Sequence, residues 1–128
     1  MTGRARPGSA SGVARSVSVS VSVVRCGWGL LWLAAPRQVT AAVGGSPDRA
    51  THAFVRVLGG RELLQGAVML AVPTRPVLLV GSAVDAIHVT TMLALAAIDR
   101  KRRGPALANA ATAASSALSG WHRIRDLP

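Results

Sequence analysis

Val77 to Ile98 reads VLLVGSAVDAIHVTTMLALAAI, a helix-length apolar run that carries an acid and an imidazole and is closed by Asp99, Arg100, Lys101, Arg102 and Arg103. At 1.5 Å per residue such a run extends roughly 33 Å, about one bilayer core. The abrupt change to arginine and lysine marks the edge of that core. The stretch predicts a membrane-spanning helix, and the rest of the chain is read outward from it.

Upstream, Pro73-Thr74-Arg75-Pro76 is a tight connection, and Ser46-Pro47-Asp48 is a helix start with a capping hydroxyl, a proline in the first turn and an acid near the positive end. A helix from there to Val72 is expected to pack beside the Val77 helix as an antiparallel hairpin. Its first half carries the apolar stripe Ala50, Ala53, Phe54, Val57 and Leu58, with Arg49, His52 and Arg56 opposite, and Arg61 continues the stripe toward the packed side.

Further upstream, Val24 to Ala35 is apolar, with Arg25 at one end, Gly27 and Gly29 for close packing, and Trp28 and Trp32 on one face; Pro36 and Arg37 end it. The preceding Ser16 to Val23 alternates serine and valine, a strand pattern in a soluble protein. A lone strand leaves its backbone unsatisfied in lipid, so Ser16 to Ala35 is read as a span of about 20 residues in helical form. A cleaved signal peptide competes, with a small-residue site near Thr40-Ala41-Ala42, but Arg25 and the tryptophans interrupt its apolar region. Met1 to Arg15 is Gly-, Ser-, Ala- and Arg-rich and is expected to be a disordered basic tail. Its low complexity leaves a second reading open, in which the natural start lies further along.

Downstream, Pro105 opens a last helix, Ala106 to Trp121, with small residues at Ala106, Ala110, Ala113, Ala117 and Gly120 that let backbones approach closely. It is the weakest span, because Asn109, Ser115, Ser116 and Ser119 oppose insertion. Trp121, His122 and Arg123 form an interface anchor ahead of a short polar tail, 124 to 128. The domain expected is therefore an antiparallel transmembrane four-helix bundle over 16 to 123, all-α, in the cell membrane.

Composition agrees. Half of the 128 residues are apolar, mean hydropathy is +0.38 and only 16% are charged. The net charge of +10 raises nucleic acid as a partner, yet aromatics are 3%, no zinc spacing occurs, and the arginines sit at the ends of apolar runs, so nucleic-acid binding is excluded. Cys26 is alone and reads as a small buried thiol.

Charges inside apolar spans are costly, about 2.5 to 3.5 kcal/mol each on insertion scales, so Arg25, Arg61, Glu62 and Asp85 need partners. Gly81, Asp85, His88 and Met92 share one helical face, and an antiparallel hairpin brings Arg61 toward Asp85 and Glu62 toward His88. Three readings of this cluster are ordered. The first is an ion-pair and hydrogen-bond set that fixes helix register. The second is a proton or small-solute path through Asp85 and His88. The third is a metal site: the acid-x-x-His spacing occurs in di-iron bundles, but those need two such motifs and two further acids, and here there is one motif and one acid. No nucleophile elbow and no Ser, His and acid set is legible, so no enzyme site, metal or cofactor is expected.

Arg100, Lys101, Arg102 and Arg103 form a topogenic cytoplasmic loop and, secondarily, an anionic-lipid contact. Basic residues at the two ends of a four-span bundle tie, and the dense loop is taken to decide orientation.

VVRCGWGLLWLAAP, RVLGGRELLQG and VDAIHVTTMLALAAIDRKRR, followed by an alanine-rich last helix, resemble the small four-helix membrane proteins common in GC-rich actinobacteria. The resemblance covers Val24 to about Arg123 and is carried by the arginine ahead of an apolar run ending in Ala-Pro, by Gly59 to Gly66, and by Asp85 to His88. A more distant similarity is to DoxX-like four-helix proteins. The resemblance implies a multi-pass membrane protein and no activity; the partners expected for such a chain are the bilayer and either a second copy or another membrane protein.

Overall fold

The computed structural model describes residues 8–125, and every regular element within them is an α-helix. Five helices follow in order: α1 Gly8–Ala34, α2 Pro36–Ala42, α3 Arg49–Ala71, α4 Arg75–Ile98 and α5 Arg103–Arg125. The serine-valine stretch is helical, and it satisfies itself locally: the Ser16 and Ser20 hydroxyls donate to the carbonyls of Gly12 and Ser16, one turn back, at 3.0 and 2.9 Å.

Several boundaries differ from expectation. α1 begins at Gly8, inside the stretch read as a disordered tail, and α5 continues to Arg125, so the helical body exceeds 16 to 123; the remaining tail residues lie outside the described ones. Pro36 ends α1 but also opens a fifth helix, α2, bent 103° from α1, because proline is well placed at a first turn. The cap of α3 is Asp48, whose carboxylate accepts the Thr51 N–H at 2.7 Å. Ser46 instead donates its backbone N–H to the Lys101 carbonyl at 2.9 Å, tying the α2–α3 and α4–α5 loops together. Gly44, at φ 74°, supplies the left-handed turn that leaves α2.

α1 packs against α3, and α4 against α5. The α1–α3 crossing is so close that a Cβ on Gly29 would lie 2.6 Å from the Leu63 nitrogen, and one on Gly59 would lie 2.7 Å from the Trp32 Cβ. Gly27 has open space around it, so of the two glycines expected to pack only Gly29 does. In the α4–α5 pair Ala106, Ala110, Ala113 and Gly120 are buried, as the small-residue spacing requires. The expected tight α3–α4 hairpin is not formed. These helices are antiparallel but meet through long side chains, Arg61 on Asp85 and Gln65 on the Gly81 carbonyl at 3.1 Å, which hold the backbones apart.

An apolar cluster including Trp32, Val55, Leu58 and Met92 is buried, yet polar residues are buried beside it and many large apolar side chains are exposed. α3 buries Thr51, Gly59, Glu62 and Gly66 and exposes Val57 and Leu64; α4 buries Gly81 and Asp85 and exposes Val80 and Ile87. The Ala50, Ala53 and Val57 part of the predicted core stripe accordingly faces outward, while Thr51, Val55 and Leu58 face in. Among the described residues α4 alone is long and apolar enough to cross a membrane, joined by α1 with α2 if that bent pair is counted as one span. The expectation of four such spans is thus met by length and composition in one or two.

Candidate functional site

Arg25 lies on the buried face of α1, in register with Ser22, Gly29 and Trp32, and therefore points into the bundle. Its guanidinium makes a two-pronged pair with Asp85, Nη1 to Oδ2 at 2.8 Å and Nη2 to Oδ1 at 2.7 Å. Its Nε sits 2.6 Å from Glu62 Oε2, an ionic contact without hydrogen-bond alignment. From α3, Arg61 donates to Glu62 Oε1 at 2.8 Å and to Asp85 Oδ1 at 2.9 Å. Two guanidiniums and two carboxylates close a ring across α1, α3 and α4, with no net charge.

The ring is dry on one side. The Glu62 and Asp85 side chains are 0% exposed and Arg25 is 2% exposed, whereas Arg61 is 21% exposed and forms the outer edge. Carboxylates so enclosed need charged partners, and the alternating arrangement puts a guanidinium beside each oxygen, with hydrogen bonds to both Asp85 oxygens and to Glu62 Oε1 and an ionic contact alone at Glu62 Oε2. Arg61 and Gln65 also end a groove of about 460 Å³ between α3 and α4, walled by Leu64, Val68, Val80 and Val84. The gap exists because side chains and not backbones separate these two helices.

All four charged residues singled out in the sequence meet, and the Arg61–Asp85 pair forms as the antiparallel register requires. The expected Glu62–His88 contact does not: both Glu62 oxygens face arginines, and His88 turns to α5, its Nε2 2.5 Å from Asn109 Oδ1. Asn109 is fully buried and its Nδ2 has no partner among the described residues. Sequence reasoning gave Arg25 no specific partner and treated Asn109 only as a polar interruption. The signal for Asn109 was its place within the Ala106, Ala110, Ala113 face, which obliges it to meet another helix.

Among the described residues no three His, Cys, Asp or Glu side chains gather as metal ligands. Cys26 is half-buried against α3 near Gly66. In the basic loop Asp99 caps the turn, accepting the backbone N–H of Lys101 at 3.0 Å and pairing with the Arg102 guanidinium; Arg103 Nε donates to the Ala96 carbonyl at 2.8 Å. Two of the four basic residues of this loop are thus partly used to close the end of α4. At the far end Trp121 is exposed as an anchor would be, but Arg123 is buried.

Comparison with family models, with curated proteins and with solved structures gave no match.

Proposed function

We propose that the protein is a small multi-pass protein of the cell membrane, an antiparallel helical bundle with a structural or accessory role, in which the Arg25, Arg61, Glu62 and Asp85 ring fixes how three helices register. One observation carries this reading: the charged ring is enclosed while large apolar side chains cover the outside. Burying Arg25, Glu62 and Asp85 inside, with Arg61 at the edge, and exposing Leu30, Val57, Leu64, Val80, Ile87 and Leu118 suits lipid as the outer solvent. Only 17% of the most apolar window of α4 is buried, which is far from the environment of a soluble core helix. Exposed hydroxyls support the same reading, since Thr90, Thr91, Ser115 and Ser119 all donate to carbonyls one turn back and leave no donor for water. The resemblance carried by Arg25, Gly59 to Gly66 and Asp85 to His88 adds to it.

Membrane fractionation tests the reading. Expressed protein should remain in the pellet after alkaline carbonate washing and require detergent for release. A soluble monomer without detergent overturns it.

The second reading, a proton-coupled or small-solute carrier built on Asp85, His88, Arg61 and Glu62, rests on one feature: His88 is half-buried, one turn from Asp85, and pairs with a neutral amide instead of an acid. Against it, both Asp85 oxygens are engaged by guanidiniums, which favours a fixed ion pair over a group that exchanges protons.

A further inference from the structure

A second cavity, about 470 Å³, opens at the other end of the bundle from the α3–α4 turn, between α2 and the first turns of α3. Arg37 of α2 and Arg49 and His52 of α3 line it over a floor that includes Ala41, Gly45 and Pro47. No carboxylate is on its wall. The chain has five acidic residues: Glu62 and Asp85 are committed to the ring, Asp99 to Arg102, and Asp48 to the Thr51 N–H, while Asp126 lies outside the described residues. Arg37 and Arg49 consequently have no carboxylate partner among the described residues, and Lys101, whose carbonyl accepts the Ser46 N–H, adds to the positive field nearby.

From these observations we infer that the cleft takes the phosphate of an anionic lipid headgroup, an inference that rests on the membrane reading above. Two arginines on different helices lining one cleft, with an imidazole three residues beyond Arg49, supply the donor chemistry that recognises phosphate oxygens. The cavity is several times larger than a bare phosphate and falls in the range of small-ligand sites. Apolar surface leads away from it along the bundle: the Arg49 face of α3 continues through Ala53 and Val57 to Leu64, all exposed, and Leu30 and Leu31 of α1 are exposed above the α1–α2 bend. That path suits acyl chains and has no use for a free phosphate. The 103° bend at Pro36 is what turns Arg37 to face Arg49 across the cleft, so the kink that interrupts the first apolar run also assembles this site.

The test uses the full chain purified in a neutral detergent, titrated by calorimetry with short-chain phosphatidylglycerol, with the matching phosphatidylcholine and with inorganic phosphate. Phosphatidylglycerol should bind more tightly than either of the others, and Arg37→Gln with Arg49→Gln should weaken it about tenfold or more. A control with the same charge loss at the opposite end of the bundle, Arg75→Gln with Arg125→Gln, both exposed, should retain most of the affinity, and the melting temperature of each variant shows that it is folded. Equal weakening in both double variants would mean diffuse charge attraction and overturn the site. Inorganic phosphate binding as tightly as the lipid, with the same arginine dependence, would overturn the lipid assignment. A chain that purifies without detergent removes the membrane reading separately, whatever the phosphate titration gives.

Discussion

Arg25 and Asp85, 60 residues apart, meet through two parallel hydrogen bonds of 2.8 and 2.7 Å that join α1 to α4, two helices that share little other packing. The α1–α3 and α4–α5 pairs are each held by small residues in close contact. The two pairs are joined by a buried apolar cluster, Trp32, Val55 and Leu58 with Met92, Ala96, Ala106 and Ala110, and by polar contacts, the ring around Arg25 and the Gln65 contact on Gly81. The ion pairs add a directional, register-setting contact to that apolar cluster.

The close crossing of α1 and α3 predicts a contrast between neighbouring glycines. Gly29→Ala places a methyl against backbone atoms of α3 that cannot move independently, and should cost about 1 to 3 kcal/mol. Gly27→Ala meets open space and should be neutral or stabilising by up to about 1 kcal/mol from helix propensity. Thermal melting in detergent ranks the two; equal effects would mean that the helices are not in glycine contact.

Two loop carboxylates predict an acid dependence. The Thr51 backbone N–H is the main influence holding Asp48 below the usual carboxylate range, aided by Lys101 and Arg102. For Asp99, partial desolvation pushes upward but is outweighed by the Arg102 side chain and the Arg102 and Lys101 backbone, so it too is lowered. A carboxylate whose folded value is depressed contributes stability that is fully present above its ordinary value, about 4, and lost as pH falls through the lower folded value. Below about pH 4, amide hydrogen exchange should accelerate at the start of α3 and in the α4–α5 loop while the helix centres stay protected. Asp48→Ala should give the first change at neutral pH.

Orientation is predicted from the basic loop, with the probe site set by the structure. Gly104 is unsuitable, since any Cβ there runs into the Val43 carbonyl, whereas Lys101 is exposed. In a Cys26→Ala background, Lys101→Cys should resist a membrane-impermeant thiol reagent in intact cells and react after lysis. Labelling of intact cells would place this loop outside.

Sequence periodicity located α3 and α4 and, in outline, α5, because long runs bounded by proline and arginine leave few alternatives. It paired Arg61 with Asp85 because a short turn dictates antiparallel register. Other contacts were hidden for identifiable reasons. The alternation of serine and valine carries a strand period, and only the need to satisfy a backbone in lipid argued for helix. α2 is a single short helix behind a proline that reads equally well as a stop. The neighbour of α3 could not be found from connectivity: loop length favours α4, whereas the depth of contact is decided by Gly29 and Gly59, 30 positions apart in sequence by their numbers. His88 went to Asn109 because α5 returns along α4, leaving Glu62 to the two arginines.

His88 separates the two functional readings. If it only bridges α4 to α5, His88→Gln keeps a donor for Asn109 Oδ1 and should leave melting temperature nearly unchanged, with no pH-linked behaviour between about pH 5 and 8. If a proton path runs through it, the same substitution should abolish a pH-linked flux in proteoliposomes while the fold persists.

The most direct measurement is a double-mutant cycle on Arg25 and Asp85, read as melting temperature and denaturant midpoint of the detergent-purified protein. Each single variant, Arg25→Gln or Asp85→Asn, leaves an uncompensated buried charge and should lose about 3 to 5 kcal/mol. The double variant leaves Arg61 and Glu62 as a balanced pair and should recover much of that loss, giving a large coupling energy. Single variants as stable as the parent, or losses that simply add, would contradict the account that this ring sets the register of the bundle.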